Sequence, residues 1–360
     1  MTSLDRLRAW LASQGLETAW ISNPVSIAYL SGFRADPGER LMALALSAET
    51  ATLVVPALEA EHAEARVREI EVVGWLDGQD GYALLRRLLG DTRRLAVEKS
   101  HLTLAAAERV VDSGDFARLR DVGEEVRRLR LVKAPAELEL LARAASATDR
   151  VTAAVMSALA PGQSEREIAS RIAELASAEG GALSFPPLVQ SGPNSALPHL
   201  TPSSRKLERG DLLLLDFGVA CEGYNGDTTR MAVLGAPDER LRGLYDVVLK
   251  AHDTAIAAVR PGATAGAIDA AARSVIASAG LADRFIHRVG HGLGLEVHED
   301  PSLDPGSGIQ LEEGMVFTIE PGVYLPGWGG IRIEDDVVVE ASGARLLTAA
   351  GRELVVVSAT

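Results

Sequence analysis

The sequence is poor in cysteine, in basic residues and in long apolar runs. Cys221 is its single cysteine, which excludes an internal disulfide and is typical of a reducing compartment, so we predict a cytoplasmic protein. No run of about 18 apolar residues occurs, so we expect no membrane-spanning helix. Charges at Asp5, Arg6 and Arg8 interrupt the first apolar residues, and we therefore expect no signal peptide there.

Basic residues are outnumbered by acidic ones, 36 to 50, and the formal net charge is −14. Nucleic acids and anionic membrane surfaces would repel such a chain, so neither is expected as a partner. The surplus of carboxylates is also compatible with a metal site. A site for hard divalent cations needs several of them.

Length and composition predict two globular domains. A chain of 360 residues is longer than one hydrophobic core usually organises, and its 47% hydrophobic and 24% charged residues are typical of globular proteins. Helical spacing near the start, followed by short apolar strands, predicts a small α/β domain over residues 1–121. The remainder, residues 122–360, begins with helical patterns and continues with strands, which predicts an α+β domain.

Two segments of the second domain resemble each other. LAPGQSEREIASRIAELASAEG and VRPGATAGAIDAAARSVIASAG both run from Pro-Gly through a short turn into an amphipathic helix that ends at glycine. An internal repeat would make this domain two similar halves facing each other across a cleft. The alternative is chance reuse of common helix-start chemistry.

Two aspartates flank a predicted hairpin. DLLLLDFGV predicts a strand buried on both faces that carries Asp216, and CEGYNGDTTRMAVLG places Asp227 between a tight turn and a returning strand. Two adjacent carboxylates repel each other unless a proton or a metal ion lies between them. Judged singly, Asp216 could form a structural ion pair and Asp227 could be an exposed turn residue.

Histidines concentrate in the second domain. HRVGHGLGLEVHEDP contains His287, His291 and His298 together with three glycines. Glycine lets the backbone approach a ligand, and neutral imidazole commonly binds first-row metals. A lone histidine more often packs in a core, but this density favours a site. His199 lies in a loop rich in proline and serine, where catalytic groups are frequent, although an ordinary loop residue is the alternative.

Two glutamates accompany predicted strands. The strand 315–319 ends at Glu320, before Pro-Gly. In a predicted strand over 331–339, alternation places Arg332 and Glu334 on one face. Both carboxylates are therefore candidates for the site that the aspartates and histidines indicate.

Together these motifs resemble the metal-dependent pita-bread peptidases of family M24, which include prolidase, aminopeptidase P and methionine aminopeptidase. The resemblance covers residues 122–360 and rests on the aspartate strand and on the phrases DTTR, HGLGL, EPG and RIE, in family order. It implies a pita-bread catalytic domain with pseudo-twofold halves. A small creatinase-like α/β domain would precede it.

The resemblance also implies two divalent metal ions per chain. Asp216 would chelate one ion, His291 and Glu320 would bind the other, and Asp227 and Glu334 would bridge the pair. Manganese is the favoured ion. Cobalt and zinc remain alternatives, because such a ligand set does not discriminate among these metals.

The remaining roles follow from the same resemblance and from general chemistry. A hydroxide bridging the ions would attack the carbonyl carbon, and Glu320 would shuttle the proton. His199 and His298 would hold the substrate or stabilise the oxyanion. Arg332 would orient a ligand carboxylate, and His287 would line the site.

The N-terminal domain resembles that of prolidases and aminopeptidases P, so the expected scissile bond is Xaa-Pro. We favour dipeptides as substrates, with Arg40, or alternatively Arg34, binding the free carboxylate. One alternative is an aminopeptidase P that acts on longer Xaa-Pro peptides. Another is a non-catalytic binding module that kept the pita-bread fold. A homodimer is expected.

Overall fold

The computed structural model describes most of the chain, namely residues 2–90, 94–111 and 113–358. It divides into two compact units, Met1–Arg130 and Leu131–Thr360. No helix among the described residues is long and apolar enough to cross a membrane.

The first unit is built around one mixed sheet with the strand order β4-β3-β2-β1-β5-β6. Its strands are β1 Thr18–Ile21, β2 Ala43–Ser47, β3 Ala51–Pro56, β4 Glu71–Trp75, β5 Leu95–Val97 and β6 Leu119–Asp121. Its helices are α1 Ser3–Ser13, α2 Pro24–Ser31, α3 Ala57–Arg66, α4 Gly81–Leu89, α5 Leu104–Val110 and α6 Gly123–Leu131. Strands β1, β2 and β3 pair antiparallel and the other neighbours pair in parallel. The predicted α/β architecture is confirmed.

Helix α6 explains where the first unit ends. The junction predicted from the sequence lies between residues 121 and 122, before this helix. In the structure Val126 and Leu129 of α6 are buried in the same core as Leu7 and Ile21. The two compact units consequently divide after the helix has packed on the first unit.

The second unit combines long helices with several short sheets. Its helices are α7 Pro135–Ser157, α8 Glu165–Ala178, α9 Glu239–Ala258 and α10 Ala265–Ser278. Its strands are β7 Ala182–Leu183, β8 Leu188–Ser191, β9 Leu212–Phe217, β10 Val219–Ala220, β11 Thr228–Leu234, β12 His291–Gly292, β13 Glu299–Ser302, β14 Val316–Ile319, β15 Gly322–Leu325, β16 Gly329–Arg332, β17 Asp335–Glu340, β18 Gly343–Leu346 and β19 Val355–Val357. The larger described sheets have the orders β19-β11-β9-β8 and β13-β12-β14-β17-β18. This mixture confirms the predicted α+β class.

The predicted internal repeat is confirmed by matching turns before α8 and α10. Gly162 and Gly262 both adopt left-handed backbone conformations, with φ of 81° and 82°. Their amide groups donate to equivalent carbonyls, Gly162 to Leu207 over 3.0 Å and Gly262 to Leu311 over 2.8 Å. A side chain at these positions would be strained, so glycine is required in both copies.

Strand β9 is buried on both faces, as its apolar run predicted. Leu213 and Leu215 pack in the core formed with α7 and α8. Leu212 and Leu214 pack in the core formed with α9 and α10. The strand is therefore held rigidly between the two halves, and side chains at its end have fixed positions.

One predicted strand is wrong. The segment 331–339 was expected to be continuous, but it divides into β16 and β17, which pair with different partners, β15 and β14. Glu334 lies in the gap, where its backbone N–H donates to the Thr229 carbonyl over 3.3 Å. The chain changes sheets at this point because β11 supplies the missing backbone partner.

Candidate metal centre

The hairpin formed by β9 and β11 brings the two candidate aspartates together. Asp216 lies directly opposite Thr229 in the strand register, and Asp227 immediately precedes β11. Asp227 is 4% exposed, so the alternative of an exposed turn residue is wrong. The predicted hairpin is confirmed, and it puts both carboxylates in the interior.

A second pair of strands delivers the glutamates. Ile319 of β14 lies opposite Asp335 of β17, so Glu320 and Glu334, the residues next to that pair, are neighbours. His291 is the first residue of β12, and β12 pairs with the edge of β14 that faces away from β17. The start of β12, the end of β14 and the start of β17 therefore lie close together, and each of them carries a potential metal ligand.

Atom distances show how closely these groups approach. His291 Nε2 lies 3.4 Å from Glu320 Oε1 and 3.7 Å from Asp227 Oδ2. Asp227, His291 and Glu334 each offer one ligand atom, and these atoms lie within 4.8 Å of one another. A spacing of this order suits ligands around a single cation.

The charges of the cluster are unfavourable without a cation. Burial raises the pKa of Asp216. Burial, together with the charge of Glu334, raises the pKa of Asp227 well above its usual range. The pKa of Glu334 is raised well above its usual range by burial and by Glu320, and burial raises the pKa of Glu320 to about 7. Like charges crowded in a low-dielectric interior disfavour ionisation.

The donor set fits divalent cations. Asp216 Oδ1 and Asp227 Oδ1 are buried, and neither has a hydrogen-bond partner among the described residues. Burial lowers the pKa of His291 to about 3, which keeps its imidazole in the neutral form that binds metals. Unpartnered carboxylate oxygens beside a neutral imidazole are suitable ligands for first-row divalent ions.

Two hydroxyl groups that were not predicted from the sequence stabilise this cluster. Thr229 donates to Glu334 Oε2 over 2.6 Å, and Thr318 donates to Glu320 Oε1 over 3.3 Å. Thr318 also accepts from the backbone N–H of His291 over 3.1 Å. For Thr229 a signal existed, since it is the second residue of the predicted returning strand and follows Asp227 by two positions, the spacing of residues on one face.

Arg332 is bound to several side chains of the cluster. Its guanidinium forms an ion pair with Asp216 and donates to Thr229 Oγ1 over 2.9 Å and to Tyr324 Oη over 3.0 Å. The hydroxyl of Tyr324, a residue that was not predicted from the sequence, contacts His287 Nε2 at 2.9 Å. The chain of contacts from His287 to Asp216 holds these polar groups in one arrangement.

Arg230 and Asp336 hold the backbone next to the cluster. Arg230 forms an ion pair with Asp335 over 2.6 Å and donates to the backbone carbonyl of Glu334. Asp336 accepts the backbone N–H of Asp227 over 3.0 Å. These contacts hold the backbone at both acidic residues, which limits how far the side chains can move apart.

The cluster opens into a cavity of about 680 Å³ within the second unit. Its lining includes every other predicted site residue of this unit, namely His199, His287, His298 and Arg332. The rings of His291 and His298 meet edge to face, with centroids 4.2 Å apart. Burial lowers the pKa of His287 to about 4 and also lowers the pKa of His298.

Arg40 belongs to the first unit. Its guanidinium forms a bidentate pair with Asp77, with Nε–Oδ1 at 3.0 Å and Nη2–Oδ2 at 2.9 Å. Its assignment as a substrate-binding residue stays a prediction. Arg34, the alternative, also lies in this unit.

The fold and the buried carboxylate-histidine cluster define a metal-dependent hydrolase. The chain belongs to metallopeptidase family M24, whose model matches residues 139–341, and its residues 4–132 match the creatinase/prolidase N-terminal domain. It is therefore a metallopeptidase, and the family implies that it binds divalent metal.

Relatives match along almost the whole chain. The Xaa-Pro dipeptidase of Lactobacillus delbrueckii subsp. lactis is 38% identical over 362 residues, which cover 98% of this chain and 98% of that protein. The solved dipeptidase PepE from Mycobacterium ulcerans is 40% identical with a TM-score of 0.90, covering 99% of this chain and 97% of that one. The solved X-Pro aminopeptidase from Thermotoga maritima is 31% identical with a TM-score of 0.89, covering 99% and 100%.

Proposed function

We propose that this chain is an Xaa-Pro dipeptidase that uses two divalent metal ions. The observation that carries the proposal is the set of buried acidic groups in which Asp216 Oδ1 and Asp227 Oδ1 have no hydrogen-bond partner within the ranges 2–90, 94–111 and 113–358. The names of the relatives described above add the substrate class. Manganese is the favoured metal, with cobalt or zinc as alternatives.

The ligand assignment follows from the cluster. Asp216 would hold one ion, His291 and Glu320 the other, and Asp227 and Glu334 would bridge the two. Bound divalent ions would supply Lewis acidity, polarising the scissile carbonyl and lowering the pKa of water. The unpartnered oxygens support this assignment, because a bound cation would satisfy acceptors that otherwise have none.

The protein groups around the ions have separate tasks. Glu320 would accept a proton from the attacking water and return it to the leaving nitrogen. Arg332 would keep Asp216 ionised and oriented through their ion pair. His199 and His298, which line the cavity, would donate hydrogen bonds to the substrate carbonyl as negative charge develops there. His287 would help to position Arg332, because both residues contact the hydroxyl of Tyr324.

The cavity also offers an apolar wall. Phe185, Leu188 and Val297 line it beside the polar groups. A proline ring presents an apolar surface and no amide N–H, so it is recognised by shape rather than by a backbone hydrogen bond. This combination supports selection of proline after the scissile bond.

Hydrolysis rates test the proposal directly. Protein stripped with a chelator and reloaded with manganese is given Ala-Pro and the same peptide extended by one residue, Ala-Pro-Ala. Preference for Ala-Pro supports the dipeptidase. Preference for Ala-Pro-Ala would instead indicate an aminopeptidase P, and cleavage of neither would refute both.

Three further expectations belong to the same proposal. The division into domains 1–121 and 122–360 is tested by limited proteolysis, which should cut near the junction. A homodimer is tested by light scattering at several protein concentrations. A cytoplasmic location is tested by fractionating the producing cells.

A further inference from the structure

Two arginines line the cavity, and their donors are used very differently. The guanidinium of Arg332 is occupied by a carboxylate, a phenol and a threonine hydroxyl of the protein. Arg288 donates through Nη1 to the Ser302 hydroxyl over 2.9 Å. It forms no ion pair with any residue that the structure describes. Only one of the three guanidinium nitrogens of Arg288 donates to a described residue, whereas all three nitrogens of Arg332 donate to protein side chains.

The backbone on both sides of Arg288 is held by helix α10. Asp269 accepts the backbone N–H of Val289 over 3.1 Å. Arg273 donates to the backbone carbonyl of His287 over 2.9 Å, and its guanidinium pairs with Asp269. Because the backbone is held on both sides of Arg288, no ordering of the backbone is needed when this arginine binds a ligand.

Ser302 connects Arg288 to the metal centre. It lies opposite His291 in the register of β12 and β13, so the hydroxyl that orients Arg288 is on a strand paired with a proposed metal ligand. The remaining N–H groups of the guanidinium have no acceptor among the described residues. Such a fork matches a carboxylate in geometry as well as in charge.

An Xaa-Pro dipeptide carries a carboxylate that a longer peptide lacks at that position. In a cavity that already contains several acidic side chains, such an anion needs a cation to offset repulsion. We propose that Arg288, oriented by Ser302, binds a carboxylate of the substrate. This inference rests on the proposed Xaa-Pro activity and names the residue that sets its preference.

The carboxylate has two possible sources: the C-terminus of the dipeptide or an acidic side chain at its N-terminal residue. Ala-Pro compared with Ala-Pro-amide reports on the first source. Glu-Pro compared with Gln-Pro reports on the second. Within each pair the peptides differ by one charge and hardly in shape.

The test measures kcat and KM for these four peptides with manganese-loaded wild type, Arg288→Ala, Arg288→Lys and Ser302→Ala. Arg284→Ala is the matched control, because Arg284 lies on the same segment, pairs with Asp283 at 3.3 Å and does not line the cavity. Arg40→Ala is included as the competing candidate. Thermal unfolding checks that each variant is folded, and Arg288→Lys and Ser302→Ala carry the test if Arg288→Ala is not.

We expect Arg288→Ala to raise KM roughly 10- to 100-fold for the charged member of one pair and to leave KM for its uncharged partner unchanged. The kcat values should change little. Arg288→Lys and Ser302→Ala should lie in between, because a lysine keeps the charge but loses the fork. The pair that is affected identifies the source of the carboxylate.

Two results would overturn the inference. If wild type cleaves Xaa-Pro dipeptides and Arg288→Ala keeps its discrimination within both pairs, Arg288 has no such role while the proposed function stands. Loss of discrimination in Arg40→Ala alone has the same consequence. If wild type cleaves none of the peptides, the proposed function fails and the inference fails with it.

Discussion

The hydroxyl of Thr229 donates a hydrogen bond to Oε2 of Glu334 over 2.6 Å. The Thr229 hydroxyl oxygen in turn accepts a hydrogen bond from Arg332 Nε over 2.9 Å. Thr229 also lies opposite Asp216 in the β9–β11 hairpin. One uncharged side chain therefore joins Glu334 to Arg332, and Arg332 in turn forms an ion pair with Asp216.

We predict that Thr229→Val weakens metal binding without unfolding the protein. Valine has nearly the same shape but leaves Glu334 and Arg332 without their shared partner. Loss of such a contact behind a ligand typically reduces metal affinity about 10- to 100-fold. Titration of the stripped protein with manganese against a competing chelator measures the change. Thr229→Ser should retain affinity close to that of wild type, and equal loss in both variants would contradict the hydroxyl role.

Asp227→Asn should remove most of the activity. A neutral amide is a poor bridging ligand, so we expect fewer than two ions per chain and at least a roughly tenfold loss of kcat/KM. Metal content is measured by elemental mass spectrometry on the dialysed protein, alongside Ala-Pro hydrolysis. Full activity with both ions retained would show that Asp227 does not bridge the metals.

The metal-stripped protein should become less stable as pH rises through neutrality. Burial raises the pKa of Glu320 to about 7 in the folded protein, above the value of about 4.3 for an unfolded glutamate. The folded state then binds more protons than the unfolded state between these values, so its stability is highest below the unfolded pKa and declines up to about pH 7.

Thermal unfolding of stripped protein from about pH 5 to about pH 8 measures this decline. Bound metal replaces the protons in offsetting the negative charge, so the loaded protein should show a weaker dependence over the same range. A melting temperature of the stripped protein that rises with pH would contradict the prediction.

Glu165 should be required for the stability of the loop that precedes β9. Its buried carboxylate accepts hydrogen bonds from Ser191, Asn194 and Ser203, at 2.6 to 2.9 Å. Glu165→Ala would leave these donors unpaired, and we expect a loss of roughly 2–4 kcal/mol in the free energy of unfolding. Urea unfolding of the metal-loaded protein measures it.

Glu165→Gln is the matched control for that change, because it keeps the shape and part of the acceptor capacity. It should lose less stability than Glu165→Ala. The loop also carries His199, so KM for Ala-Pro should rise in the alanine variant. Unchanged stability in Glu165→Ala would show that water replaces the carboxylate.

Local patterns were sufficient for much of the fold. The apolar run before Asp216 predicted a strand buried on both faces, and the glycine-rich turn before Asp227 predicted the hairpin. Both predictions were confirmed, because the formation of a strand or a tight turn depends mainly on residues that are close together in the sequence. The repeated Pro-Gly phrases likewise predicted matching halves, since the turn requires glycine at Gly162 and Gly262.

The break at Glu334 was not predictable from that segment. Its sequence alternates as that of a single strand would. The segment divides because its first part, β16, pairs with β15 and its second part, β17, pairs with β14. Thr318 and Tyr324 were missed for a related reason. Hydroxyl side chains are common throughout the chain, and only their three-dimensional partners distinguish these two.

The sequence by itself determined which chemical groups this protein has at its strand ends: carboxylates, a histidine among glycines, and arginines nearby. Strand and turn preferences act over a few residues, so the order of these groups along the chain was enough to recognise their family. Tertiary structure alone decided that Asp216 meets Arg332, that Thr229 reaches Glu334 and that Arg288 has donors without an acceptor in the described part of the chain. Those relationships depend on distances between segments far apart in sequence, and packing sets such distances.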